Sequence, residues 1–330
     1  VRSAADRDEF SGTVLVVKGG MVIYSASFGA ADKGRSVPNT AATRFNIGSM
    51  DKQFTAVAIG QLIEQGRLTL DTRLIDVLPD SPNRAAAEAI TIRHLLSHRA
   101  GLGMLFDRPA WEWKKRFTRM TDLLPLLAAA EPDFVPGSRF SYSNEGFVVL
   151  GAVVERLSGL SWHDYAERHI FRRAGMRHTA YLGDDPSEPR RAVGYKFDRS
   201  DPLGLRARVP NWDTLSWRGG SHGGSFTTAA DMIRFLQALR SGRLLKPETV
   251  AALFDDGADT SDDYALGFER HKAANGRTII GHDGGGPSSG INSDAKMILE
   301  NGYAYAVLGN YDAPFAQSLG RDIGTMIAAQ

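Results

Sequence analysis

Strand-like patterning at both ends of the chain, with helix-like patterning between, constrains the fold more than any other feature of this sequence. Near the N-terminus, Thr13-Val14-Leu15-Val16-Val17 and Met21 to Phe28 read as a β-hairpin turning at Lys18-Gly19-Gly20. From Tyr264 onward strands are expected over Tyr264 to Glu269, Arg277 to Gly281, Gly290 to Leu299 and Tyr303 to Asn310. Asn301-Gly302 between the last two is a strong hairpin signal. Strands at both ends imply that the hairpin joins the C-terminal meander in one antiparallel sheet. The expected architecture is α/β of the α+β type: a sheet region over about 1–35 and 262–330, helices flanking it, and a mostly helical region over about 36–261, all in one domain of 1–330.

Apolar residues recur at helical spacing from Asp51 to about Gln65, through Phe54, Val57, Ala58, Leu62 and Ile63, before a stop at Gly66. Thr91 caps a short predicted helix that ends before Gly101, and another is expected over Thr121 to Ala130. A run from Asn144 to Leu157 stops near Gly159, and Ser161 with Asp164 resembles a capping box. Thr228 with Asp231 opens a helix that stops at Gly242, Pro247 starts a shorter one, and Ala313 to Ala329 closes the chain as a helix. Between Tyr181 and Ser221 the pattern reads as long loops.

With 39 basic against 38 acidic residues, the chain has no overall electrostatic footprint for nucleic acid or an anionic membrane. The absence of cysteine rules out disulfides, thiolate nucleophiles and thiolate metal sites. No stretch approaches the roughly twenty apolar residues of a membrane helix. The chain opens at Val1, and removal of a secretory signal is one reading of that start. A periplasmic or secreted location is the expectation, with a cytoplasmic one as the alternative.

Ser49-Met50-Asp51-Lys52 opens the first long helical run, after the turn-prone Phe45-Asn46-Ile47-Gly48. A serine and a lysine three apart share a helix face. A lysine held neutral by partial desolvation can take a serine hydroxyl proton without any histidine. The same S-x-x-K spacing recurs at Ser293 to Lys296, but in a predicted strand, where positions three apart face opposite ways. Tyr142-Ser143-Asn144 follows Pro136-Gly137, and Gly281-His282-Asp283-Gly284-Gly285-Gly286 follows the β-rich Arg277 to Ile280.

In this order, S-x-x-K, Y-x-N and H-x-G resemble the active-site elements of the penicillin-recognising serine hydrolases. That group includes class C β-lactamases, D-alanyl-D-alanine carboxypeptidases, D-aminopeptidases and family VIII esterases. The likeness runs from Ser11 to Asn310 and includes the landmarks Ile92 to Leu102 and Gly223 to Phe235. It implies a β-lactamase/penicillin-binding-protein-like fold with no cofactor and no metal. The implied partners are small ester, amide or D-amino-acid peptide substrates.

Acyl transfer needs a nucleophile, a base, a proton donor for the leaving group and donors for the oxyanion. Ser49 fits the first, and its backbone N–H at a helix start fits part of the last. Lys52 fits the base. Tyr142, with its pKa lowered beside Lys52, would shuttle the proton, and Asn144 would hydrogen-bond both the substrate and Lys52. By resemblance, His282 stands where many relatives carry the lysine of K-T-G, Gly284 completes H-x-G, and Gly285 supplies the second oxyanion N–H. An imidazole carries little fixed charge near pH 7, so a strong requirement for a substrate carboxylate is not expected.

Plainer readings compete with these. Ser49 and Asn144 also suit helix caps, Lys52 a solvated surface, and Tyr142 packing. His222-Gly223-Gly224 is a second H-x-G, without a preceding strand pattern. His94 and His98, four apart, have zinc-like spacing but lack the metalloprotease glutamate. The cluster Trp111, Trp113, Lys114, Lys115, Arg116 and Phe117 reads as a lid, a pocket wall or plain packing.

The sequence departs from many relatives at Gly286-Pro287-Ser288-Ser289-Gly290, where they carry an aromatic, and it lacks a class A E-x-x-L-N element after Tyr142. The expected activity is hydrolysis of small esters or amides through an acyl-enzyme on Ser49, esterase-like or D-amino-acid-peptidase-like. A class C β-lactamase and a non-catalytic β-lactam sensor or scaffold are the alternatives.

Overall fold

A computed structural model of the chain describes residues 1–104, 117–127, 131–183, 188, 190–198, 207–215, 218–255 and 263–330. Six strands form one antiparallel sheet: β1 (Gly12–Lys18), β2 (Met21–Phe28), β3 (Glu269–Lys272), β4 (Thr278–Gly286), β5 (Ile291–Ile298) and β6 (Tyr303–Gly309). Their order is β2-β1-β6-β5-β4-β3, so the N-terminal hairpin joins the C-terminal meander as expected. The register pairs Val14 with Val307 and His282 with Ala295.

Alternation along the strands fills two cores. Leu15, Val17, Ile280 and Met297 face a large cluster shared with the helical region. Val14, Val16, Ile279 and Val307 face a smaller one beneath the C-terminal helix. Side chains on a strand point alternately to its two faces, so where the sheet is covered on both sides the residues of both faces are buried. The four long helices are α1 (Lys52–Glu64), α2 (Asn144–Ser158), α3 (Ala229–Arg240) and α4 (Phe315–Ala328). Every residue of α1 from Lys52 to Leu62 is buried, so this helix is enclosed on all sides rather than along the expected single stripe.

Several caps stand where expected. Thr91, Ser161 and Thr228 accept hydrogen bonds from the backbone N–H groups of His94, Asp164 and Asp231, and Gly159 ends α2 at φ 76°. Pro247 begins the helix Pro247–Phe254. Other expectations need correction. The strand placed at Tyr264 to Glu269 begins only at Glu269, with Tyr264 bridged back to Glu269. β4 continues past Gly281 through the glycine-rich stretch to Gly286. The loops over 181–221 contain a small hairpin pairing Tyr195–Phe197 with Arg208–Pro210. The helix expected over Thr121 to Ala130 is a 3-10 turn Met120–Leu123 followed by Leu124–Leu127, and its last three residues lie outside the described residues. The aromatic-basic cluster from Trp111 to Arg116 lies outside them too.

Candidate active site

Ser49 lies in a 3-10 turn, Gly48–Asp51, that runs directly into α1. Neither this turn nor α1 has a side-chain cap, so the Ser49 hydroxyl is not spent on capping. Two close backbone approaches fix the turn. A Cβ on Gly284 would stand 1.9 Å from the Ile47 carbonyl oxygen, and one on Gly48, whose φ is 51°, would stand 2.8 Å from the Gly285 nitrogen. Glycine at both positions lets the loop before Ser49 lie against β4, bringing the backbone of Ser49 beside that of Gly284 and Gly285.

Lys52, one turn along, points back at Ser49. Its Nζ lies 3.1 Å from Ser49 Oγ, 2.7 Å from Asn144 Oδ1 and 2.8 Å from the His222 carbonyl oxygen. Three acceptors satisfy an ammonium completely. A neutral amine keeps two of these bonds and turns its lone pair to the serine. Burial drives the Lys52 pKa down to about 7, against the opposing charges of Asp51, Asp283 and Glu269. The solvated-surface reading of Lys52 is thereby overturned: the residue is 0% exposed.

Asp51 is equally enclosed. It accepts hydrogen bonds from the Ser225 N–H, at 2.8 Å, and from the Ser225 hydroxyl. Burial pushes its pKa up to about 7 despite those bonds. The interaction ties the start of α1 to the loop bearing His222 and Gly223. The second H-x-G therefore does border the cleft, but through its backbone. The short strand Phe226–Thr227 that follows pairs with Phe45–Asn46, setting His222 beside Lys52, and burial lowers the His222 pKa to about 3.

Tyr142 precedes α2, whose N-cap is Ser143 rather than Asn144, the Ser143 hydroxyl accepting from the Gly146 N–H. The Lys52 ammonium lies 4.8 Å from the Tyr142 ring centroid, and Tyr142 lines the same cavity as Ser49. The expectation of a lowered pKa is overturned: burial pushes the phenol well above its ordinary value, only partly offset by the neighbouring Ser49 side chain. Tyr142 stays protonated. Asn144 Nδ2 points the other way, 3.8 Å from Met104 Sδ.

His282 is 1% exposed, and both of its ring nitrogens are occupied. Nε2 lies 3.0 Å from the Tyr264 hydroxyl and Nδ1 lies 2.5 Å from the Asp283 carbonyl oxygen. The carbonyl can only accept, so Nδ1 carries the ring proton and donates it to that oxygen, and Nε2 accepts from the tyrosine hydroxyl. Burial holds the His282 pKa at about 4. The neutral ring agrees with the sequence reading, but its hydrogen-bonding capacity is directed into the protein rather than toward a ligand.

Behind His282 lies an ionic group that the sequence reading did not single out. Lys296 Nζ lies 2.6 Å from Asp294 Oδ1 and 3.0 Å from Glu269 Oε2, and Tyr305 donates to Asp294 at 2.8 Å. Ser293 and Lys296 thus sit on a strand with alternating faces, as expected for a chance S-x-x-K, and the lysine is committed to carboxylates. Ligand atoms of Glu269, His282 and Asp283 lie within 4.8 Å of one another, a spacing that suits a metal ion. Two of the three are already engaged, since Lys296 holds Glu269 and the His282 ring is satisfied on both sides. His94 and His98 do not share a helix: the helix Ile92–Leu96 ends first and His98 has φ 57°. His94 Nδ1 accepts from Thr91 N–H and His98 Nδ1 from Ser143 N–H, so the two lack the shared helical face on which the zinc-like spacing rested.

These groups border one cavity of about 480 Å³, lined by Ser49, Tyr142, Asn144, His222, His282 and Gly285 among others. Its size suits a small organic substrate.

The fold and this constellation define a protein of the penicillin-binding/β-lactamase type. A family model described as Beta-lactamase matches residues 2–325, and the chain belongs to that family. A putative penicillin-binding protein, PbpX, from Bacillus subtilis is 31% identical over 260 residues, 78% of this chain and 62% of that protein. The chain thus spans less than two thirds of that relative's length. Esterase EstB from Burkholderia gladioli is 30% identical over 268 residues, 72% of this chain and 67% of that protein. The crystal structure of a penicillin-binding protein from Bacillus halodurans superposes with a TM-score of 0.85 at 31% identity, covering 98% of both chains.

Proposed function

We propose that this protein is a serine hydrolase that cleaves small esters or amides through an acyl-enzyme on Ser49. The observation that carries the reading is the buried Lys52 amine 3.1 Å from the Ser49 hydroxyl, with its pKa depressed to about 7. In acylation, neutral Lys52 takes the Ser49 proton as Oγ attacks the substrate carbonyl carbon. The tetrahedral oxyanion is received by the backbone N–H groups of Ser49 and Gly285. Tyr142, a protonated phenol lining the same cavity as Ser49, gives its proton to the departing alkoxide or amine and is reprotonated from Lys52. The bond from carbonyl carbon to leaving group then breaks. Water attacks the acyl-enzyme with the same groups working in reverse, and Asn144 holds Lys52 in register throughout.

Esterase or D-amino-acid peptidase chemistry is favoured over β-lactamase chemistry, because the neutral His282 offers no fixed charge for a substrate carboxylate. One preparation should be screened with p-nitrophenyl esters, nitrocefin and D-alanyl peptides, and labelled with a fluorophosphonate, beside Ser49→Ala and Lys52→Ala. Turnover and label that vanish in Ser49→Ala support the reading. Label on another serine, or no label on the wild type, refutes it and favours a non-catalytic domain.

A further inference from the structure

We propose that a cavity remote in sequence from the three motifs, formed by Arg177, Arg234 and Arg243, binds a small phosphate-bearing anion. The cavity has a volume of about 410 Å³ and is lined by Ala174, Gly175, Arg177, Arg234, Gln237 and Arg243. That lining contains three guanidinium groups, one amide and no carboxylate. With Arg234 paired to Asp231, the lining still carries two guanidinium groups, Arg177 and Arg243, with no carboxylate among the lining residues, a local excess of positive charge. The volume lies within the range of small-ligand pockets.

Two secondary elements bring the arginines together. The helical segment 162–174 ends at Gly175, φ 78°, and presents Arg177 just beyond. Arg234 and Gln237 are three apart on α3 and share a face, while Arg243 follows the helix end. Arg173 donates to the Arg243 carbonyl at 3.1 Å, tying the two walls to each other. Arg234 is preset by Asp231, to which its Nη1 donates at 2.5 Å. Asp231 is itself buried and accepts from the His178 N–H and the Thr179 hydroxyl, so it fixes one edge of the guanidinium and leaves the other edge toward the cavity.

The side chains of Arg177 and Arg243 donate to no partner among the described residues. A guanidinium presents donors in a planar fork that matches two oxygens of a phosphate, and several such forks around one concavity favour a polyanion over a monovalent ion. A soluble phosphate ester and a lipid headgroup share this chemistry.

Binding of inorganic pyrophosphate, with sulfate as comparison, should be measured by titration calorimetry at low salt on wild type, Arg177→Gln and Arg243→Gln. Both arginines are exposed, so the variants should keep the wild-type Tm and Ser49-dependent hydrolysis. One-site pyrophosphate binding, weakened at least tenfold in each variant, is expected. Sedimentation with phosphatidylglycerol and phosphatidylcholine vesicles separates the sources. Phosphatidylglycerol binding abolished by the same variants assigns a headgroup, and pyrophosphate binding without vesicle binding assigns a soluble ester. No saturable pyrophosphate binding by wild type, or wild-type affinity retained in both variants, overturns the proposal.

Discussion

His98 lies against Tyr142 with ring centroids 4.2 Å apart, and its Nδ1 accepts the N–H of Ser143, the residue that follows the tyrosine, at 3.0 Å. The histidine thus holds both the ring and the adjacent backbone of the proposed proton relay. Burial, and then the Lys52 charge, keep its pKa well below the usual histidine value, so Nδ1 remains an acceptor across the working pH range.

From this contact, His98→Phe should retain the packing and lose the acceptor. The buried Ser143 N–H is then unsatisfied, at a cost of about 1–3 kcal/mol. kcat should fall at least tenfold with KM changed much less, because the role proposed for Tyr142 is on the leaving group. His98→Asn, whose Oδ1 can take the place of Nδ1, should recover part of the lost Tm. Steady-state kinetics and thermal melts on both variants decide this. A His98→Phe enzyme with wild-type kcat would show that the contact only packs.

The base is active when neutral, and burial depresses the Lys52 pKa to about 7, so kcat/KM should rise with pH up to about 7 and level off above it. Asp51 titrates in the same range, and the limb belongs to the pair. The Asp51 charge holds the Lys52 pKa up against desolvation. Asp51→Asn should therefore move the acid limb to lower pH while keeping a hydrogen bond to Ser225. A limb that stays in place or moves upward excludes this coupling.

The three motifs were legible because each needs only local spacing: Lys52 one turn from Ser49, Asn144 two after Tyr142, and glycines after His282. The two-ended sheet was legible for a similar reason, since alternation and the Asn301-Gly302 turn are local signals. Groups placed by tertiary packing were not legible. Tyr264 reaches His282, Glu269 reaches Lys296 and the His222 carbonyl reaches Lys52 only because β3, β4, β5 and the loop before Phe226 converge. Nothing within a few residues of His98 marks it as a partner of Tyr142. Tyr142 is less acidic than its place beside a lysine in the motif pattern implies, because its burial is set by tertiary packing and outweighs the neighbouring charge.

Gly284→Ala tests the glycine contact between β4 and the loop before Ser49. The added methyl would meet the Ile47 carbonyl oxygen at 1.9 Å, backbone against backbone, with no flexible side chain to yield. Stability should fall by about 1–3 kcal/mol, in the range of overpacking elsewhere. Activity should fall much further, since the displaced loop carries the Ser49 N–H. Gly286→Ala, at a position open to space, should leave the melt unchanged. Equal activity in Gly284→Ala and wild type would mean that this approach does not set the oxyanion geometry.

The last prediction concerns His282, whose ring is neutral and satisfied on both nitrogens by Tyr264 and the Asp283 carbonyl. Such a group offers no charge to a substrate carboxylate, so an uncharged p-nitrophenyl ester should be hydrolysed at least as well as a matched ester bearing a carboxylate. His282→Lys would place an ammonium at the same wall. Glu269 stands within 3.4 Å of the present Nδ1 and shares Lys296 with Asp294, so it would take up part of the new charge and leave the rest to act in the cleft. In a partly desolvated site that charge attracts an anion more strongly than imidazole does, and a gain of about 1.4 kcal/mol is a tenfold change in preference. The ratio of kcat/KM for the two esters should therefore shift toward the carboxylate in His282→Lys. A wild type that already prefers the carboxylate strongly, or a ratio untouched by the substitution, would remove His282 from substrate selection and with it the main physical support for esterase-like chemistry.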